Sequence, residues 1–181
     1  MITPASIADV LLIQPKRFGD ARGYFAETFN PRMAAAAKLP IFVQDNESLS
    51  VETGTVRGLH YQVAPFSQTK LVRCVRGAVL DVAVDLRTQS STYGQYVAQN
   101  LSAESGLMVL VPSGFAHGFC TLQPDTLVCY KVDAVYSAPH ERGLAWDDPD
   151  LGISWPVPVS GAVLSDKDRA NPPLASLPRG V

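Results

Sequence analysis

From Phe42 onward the chain alternates short apolar runs with turn-forming clusters. The runs are FVQDNESLSV, LVRCVRGAVLDVAVDL, YGQYVAQNLS, LMVLVP, FAHGFCTLQ and TLVCYKVDAVY, and turn signals such as Arg76-Gly77 and Pro124-Asp125 stand between them. Runs this short, punctuated this regularly, predict six or more strands and an all-β sandwich or barrel. In VLDVAVDLR, period-two alternation puts Leu80, Val82, Val84 and Leu86 on one face and Asp81, Ala83 and Asp85 on the other. One face of that strand is greasy and the other carries acids. Helix is scarce. The single good signal is NPRMAAAAKL, where Asn30 can cap, Pro31 takes the first helical position and four alanines supply propensity.

The tail from Ser137 has another texture, with prolines spread through DDPDLGISWPVPV and LSDKDRANPPL. Because Trp146 and Trp155 need apolar surroundings, this segment is expected to pack irregularly over the β-structure. The three cysteines, Cys74, Cys120 and Cys129, lie inside apolar patterns without C-x-x-C spacing and are expected to be small buried hydrophobes.

At 181 residues, 46% of them hydrophobic, the chain suits one domain spanning 1–181 with a substantial core. The net charge is -2 and the 15 basic residues are scattered, which argues against nucleic acid or a membrane surface as partner. An anionic small molecule remains open. The N-terminus lacks the features of a signal peptide, and no window approaches the roughly 20 apolar residues of a membrane span. A cytoplasmic location is expected.

Candidate chemistry starts at VRGLHYQ. A lone histidine beside a strand is more often a surface or satisfied core residue than a catalyst, but His60 has Arg57 three residues before it and Lys70 ten after. Lys70 opens KLVRCV on the face of Val72 and Cys74, a costly place for an ammonium without a partner or a task. Tyr130 shares a face with Val128 and Val132, so it reads either as a core tyrosine bonded to a carbonyl or as a positioned acid. Asp168, in LSDKD, reads either as a solvated loop acid or as the group that holds a histidine in one tautomer. In VPSGFAHGF, Pro112, Gly114 and His117 fit P-x-G-x-x-H, which resembles the second motif of the cupin barrels. With only three histidines and no H-x-H, a metal site is not expected. G-x-G-x-x-G after a strand and G-x-x-x-x-G-K are also missing, which fits a chemistry that requires neither nicotinamide nor ATP as cofactor.

Taken together, FGDARGYFAETFN, VQDN, VRGLHYQ, Q-x-KLVRC, DVAVDLR, YGQYVAQNLSAE, VPSGFAHGFCTL and LSDKD resemble the dTDP-4-dehydrorhamnose 3,5-epimerase family, in order, from about Asp9 to Pro173. The resemblance implies a metal-free cupin-type double-stranded β-helix (jelly-roll) barrel with a short N-terminal helix and an irregular C-terminal segment. It also implies a homodimer whose subunits share each site and a dTDP-sugar substrate. By matching motif, His60 would be the base that removes the C3 and C5 protons, Asp168 its orienting partner, Tyr130 the acid on the opposite face and Lys70 the group at the enolate oxygen. Arg22 and Arg57 would contact the diphosphate, and Phe25, Glu27, Gln44 and Asn46 the thymidine. His117, Asp81 and Tyr136 would line or support the pocket. Val135, just before Tyr136, departs from the pattern, since a second aromatic is expected there. Relatives that epimerise only C3 or only C5, and a non-catalytic sugar-nucleotide-binding cupin, are the competing readings.

Overall fold

The computed structural model describes residues 1–36 and 38–178; Ala37, inside the predicted helical stretch, and 179–181, the end of the predicted domain, lie outside them. Two short strands, β1 (Ile2–Pro4) and β2 (Leu11–Ile13), open the chain, followed by a hairpin of β3 (Arg17–Asp20) and β4 (Gly23–Ala26). Helix α1 (Pro31–Ala36) comes next, and its first turn is closed by Met33 N–H donating to Asn30 Oδ1 at 2.8 Å, as the capping signal predicted. Then come β5 (Gln44–Ser50), β6 (Val56–Gln62), β7 (Lys70–Arg76), β8 (Ala78–Asp85), β9 (Tyr96–Ser102), β10 (Met108–Val111), β11 (Phe115–Thr121) and β12 (Thr126–Val132). The tail adds β13 (Glu141–Gly143), α2 (Asp166–Arg169) and three single-turn 3₁₀ segments.

The strands form two antiparallel sheets, ordered β1-β2-β10-β7-β12-β5 and β13-β6-β11-β8-β9. Sequence neighbours β7 and β8 lie in different sheets because the chain turns at Gly77, whose φ of 75° suits glycine and whose Cβ would collide with Thr126. The core between the sheets takes Val72, Val109, Val111 and Val128 from one and Val79, Ala83, Val97, Leu101, Phe115 and Phe119 from the other. This is the jelly-roll arrangement of two facing sheets.

The alternation in β8 holds, but the acid-bearing face is the one turned inward. Val79 and Ala83 look into the core, while Val82, Val84 and Leu86 form the outer face and pack with Leu144, Leu151, Ile153, Trp155, Leu174 and Leu177 of the tail. The proline-rich segment is thus the second apolar layer of that sheet, which is why it is ordered. Trp146 and Trp155 sit 5.7 Å apart, and the Trp155 indole N–H donates to the Trp146 carbonyl at 2.7 Å. One cysteine departs from expectation: Cys74 and Cys120 are buried, but Cys129 is only half-buried, because its side chain faces outward from the first sheet beside Glu47.

At the end of β8, Asp85 is fully buried and accepts hydrogen bonds from Arg87, Ser90 and Thr92. Burial alone would raise its pKa, but these donors hold it well below the usual carboxylate range. Replacing Asp85 with Ala leaves that network without its acceptor, at a cost of about 3 kcal/mol. For a chain of this length that is a fall of roughly 6 to 12 °C in Tm by thermal melting, with the site some distance along the sheet left intact.

Candidate active site

Four strands bring the chemistry to one open end of the sandwich. His60 on β6 stands directly opposite His117 on β11, while Lys70 and Tyr130 enter from the facing sheet on β7 and β12. Two adjoining cavities of about 250 and 240 Å³ share His60, Lys70 and Tyr130 in their walls. The first continues to Gln44, Asn46, Tyr136 and Glu141, the second to Arg57, His117, Phe119, Lys167 and Asp168.

His60 Nε2 lies 2.6 Å from Asp168 Oδ1. Asp168 is no solvated loop acid. It sits in α2, whose N-cap Ser165 accepts the Asp168 amide, and it is 5% exposed. Its other oxygen faces the Gly58 N–H at 3.5 Å. Burial pushes its pKa up, but the hydrogen bond and positive charge of His60, with Ser165 and the Gly58 amide, win and hold it below the ordinary value. The carboxylate therefore stays ionised at neutral pH, able to orient the imidazole and stabilise its protonated form.

Lys70 is buried, and its ammonium donates to the backbone carbonyl of His60 at 3.3 Å. Burial lowers its pKa to about 8, opposed by the negative charges of Asp81 and Glu141. Burial also raises the Tyr130 phenol, with Arg57 pulling the other way, so this hydroxyl keeps its proton and can donate it. His117 pairs with Asp81 at 2.9 Å, both buried in the floor of the site. The remaining histidine, His140, is bound to Ser137 and packs at a tilt against Phe66. Arg57 is anchored at the rim through Ser50 Oγ and the Leu49 carbonyl. At the other end of β5, Gln44 joins Asn46 and the backbone of Tyr136.

Not every predicted residue joins this group. Arg22, Phe25 and Glu27 belong to the β3–β4 hairpin and the turn after it, and none of them lines either cavity. Arg22 pairs with Asp20 in solvent, Glu27 accepts from Asn30, and Phe25 is 66% exposed. Two charged lining residues, Glu141 and Lys167, were not foreseen. Glu141 accepts from Tyr136 at 2.7 Å and from Lys167 at 2.6 Å, closing the rim above His60. Lys167 lay within the quoted LSDKD block, but PHERG around Glu141 has no pattern that marks a site. Val135 is 52% exposed and lines neither cavity.

Such an arrangement can remove a weakly acidic proton, hold the resulting negative oxygen near an ammonium, and return a proton from another direction. Among the described residues, no group of three or more His, Cys, Asp or Glu side chains is placed to hold a metal ion. His60 and His117 each spend a ring nitrogen on a carboxylate instead.

A family model described as dTDP-4-dehydrorhamnose 3,5-epimerase matches residues 4–176. Among curated proteins, the dTDP-4-dehydrorhamnose 3,5-epimerase of Sinorhizobium fredii is 56% identical over 174 residues, covering 96% of this chain and 89% of that one. Among solved structures, the Bacillus anthracis enzyme of that name, with TDP and pyrophosphate bound, superposes with a TM-score of 0.92 at 48% identity, covering 96% of this chain and 98% of that one. The Legionella pneumophila dTDP-6-deoxy-D-glucose-3,5-epimerase, in complex with dTDP-4-keto-L-rhamnose, gives a TM-score of 0.93 at 39% identity, covering 98% and 94%.

Proposed function

This chain belongs to the dTDP-4-dehydrorhamnose 3,5-epimerase family, and from that premise we propose how its own residues carry the reaction. The activity is isomerisation of a nucleotide sugar: epimerisation at C3 and C5 of dTDP-4-dehydro-6-deoxy-D-glucose to dTDP-4-dehydro-L-rhamnose, in dTDP-rhamnose biosynthesis. Both carbons flank the C4 ketone, so each C–H is acidified by delocalisation of its carbanion onto one oxygen.

His60 is the base, Asp168 orients it, Lys70 meets the enolate oxygen, and Tyr130 supplies a proton to the face away from His60. The observation that supports this most strongly is the 2.6 Å His60–Asp168 pair opening onto the same cavity as Tyr130 and the buried Lys70. Arg57 takes the diphosphate, Gln44 and Asn46 the nucleotide side, and His117 with Asp81 supports the sugar end. Glu141 and Lys167 contribute a polar rim near the sugar.

The same reading makes the active form a homodimer, with 1–181 working as one domain in each subunit. The hairpin bearing Arg22 and Phe25 exposes Phe18, Tyr24 and Phe25, with Phe18 and Phe25 opposite each other in its register, an apolar surface that a second copy could cover. Delivered to the site of a second copy, Arg22 would face the diphosphate, with Phe25 and Glu27 at the thymidine. The test is incubation with the 4-keto substrate in heavy water and location of the label by NMR. Deuterium at both C3 and C5 is expected. Label at one carbon alone identifies a single-site epimerase instead.

A further inference from the structure

Arg57 and His60 are three residues apart, and strict alternation would point them to opposite faces of β6. Both nevertheless line the same cavity. The register explains how. His117 faces His60 and Phe119 faces Arg57, so Gly58 and Leu59 together oppose the single residue Gly118. This is a β-bulge on β6. Leu59 is thrown outward into the apolar layer under the tail, where it is fully buried, and inward alternation resumes at His60 in place of position 59.

Only glycine fits on either side of this crossing. Gly58 has φ of 122°, and a Cβ there would lie 2.7 Å from Gly118 Cα and 2.8 Å from the His117 carbonyl. A Cβ on Gly118 would lie 2.5 Å from the Arg57 carbonyl and 3.0 Å from Leu59 Cδ2. The bulge also turns the Gly58 N–H toward the second oxygen of Asp168. One irregularity thus aims Arg57 inward, sets the base and helps hold the base's carboxylate.

We propose that Gly58 and Gly118, clamped from outside by Leu59, are positioning residues for the reaction: the bulge they permit puts the diphosphate-binding arginine and the catalytic base on one wall and fixes the His60–Asp168 contact. The proposal rests on His60 being the base. A displacement of about 1 Å at a reacting group can cost about 10²-fold in rate.

The test compares Gly118→Ala, Leu59→Ala and Leu86→Ala in the full chain. Leu86, just past β8, is buried in the same apolar cluster as Leu59, so the two leucine truncations should lower Tm alike. Each variant is read by kcat, KM and the downfield proton NMR signal of the short His60–Asp168 hydrogen bond, assigned by its loss in Asp168→Asn. Gly118→Ala is expected to lose that signal, drop kcat about 10²-fold and raise KM as Arg57 shifts. Leu59→Ala should lose kcat by about tenfold and weaken the signal, whereas Leu86→Ala keeps both. If Gly118→Ala does not fold, the leucine pair decides. Wild-type signal and kcat in folded Gly118→Ala, or identical behaviour of the two leucine variants, overturns the proposal. Full turnover by His60→Ala would instead overturn the base assignment, which the hydrogen-bond signal does not measure.

Discussion

His60→Ala is expected to lower turnover by about 10² to 10⁴-fold, the usual contribution of a positioned general base. The fold should survive. His60 lies at the cavity wall with its side chain 29% exposed, and its removal leaves the buried Asp168 carboxylate without its closest donor. An orphaned buried acceptor costs about 1 to 3 kcal/mol, a large fraction of a domain's stability but well short of unfolding a typical one. The two effects separate cleanly: thermal melting should fall by several degrees while exchange of substrate protons with solvent nearly stops. Asp168→Asn should follow in the same direction, because it removes the charge that favours the protonated imidazole. Activity of His60→Ala within tenfold of the parent would remove the base from the mechanism.

Lys70→Met should be the second silent variant, losing about 10² to 10³-fold in turnover while gaining stability. Methionine fills the same buried space without an ammonium. The pKa of Lys70 is pushed from 10.5 to about 8 chiefly by burial, which amounts to roughly 3 kcal/mol of disfavoured charge that the apolar replacement relieves. The pH dependence follows with a definite sign. Below about pH 8 folded and unfolded chains both carry the charge, and the full penalty applies. Between about 8 and 10.5 the folded chain gives up its proton first, so stability from this group rises with pH. Turnover should move the opposite way, falling as the ammonium is lost above about pH 8, and the alkaline limb should be missing from the residual activity of Lys70→Met. A rate–pH profile with parallel melting curves checks both halves. If Lys70→Met melts lower and turns over normally, the lysine is structural.

The sequence revealed those parts of the fold whose cause is local. The cap at Asn30, the glycine turn between β7 and β8, and the strands β5 and β7 to β12 each follow from a few adjacent residues, whereas the β6 stretch VRGLHYQ has no apolar run that marks it as a strand. The alternation in β8 was readable as well, but not which face looks inward, because that depends on a tail more than 50 residues away laying Leu144 and Trp155 on Val82 and Val84. Strands β1 to β4 and β13 are three or four residues long and exist through pairing with distant partners, so they leave little periodicity to find. At the site, His60, Lys70 and Tyr130 stood out as polar groups in apolar surroundings. Glu141 did not, since its meaning comes from Lys167 and Tyr136 meeting it at the rim. The bulge at Gly58 was equally hidden, because it becomes visible only in the register against β11.

The central claim is that base and acid approach the sugar from opposite sides, and Tyr130→Phe in heavy water tests it most directly. With the phenol gone, His60 still removes the proton, exchanges it with solvent and returns it to the face it left. Recovered substrate should therefore gain deuterium beside the ketone without inversion, while formation of the epimerised product falls by about 10² to 10⁴-fold. Epimerised product appearing at the parent rate, or recovered substrate that stays unlabelled while product is lost, would contradict the account.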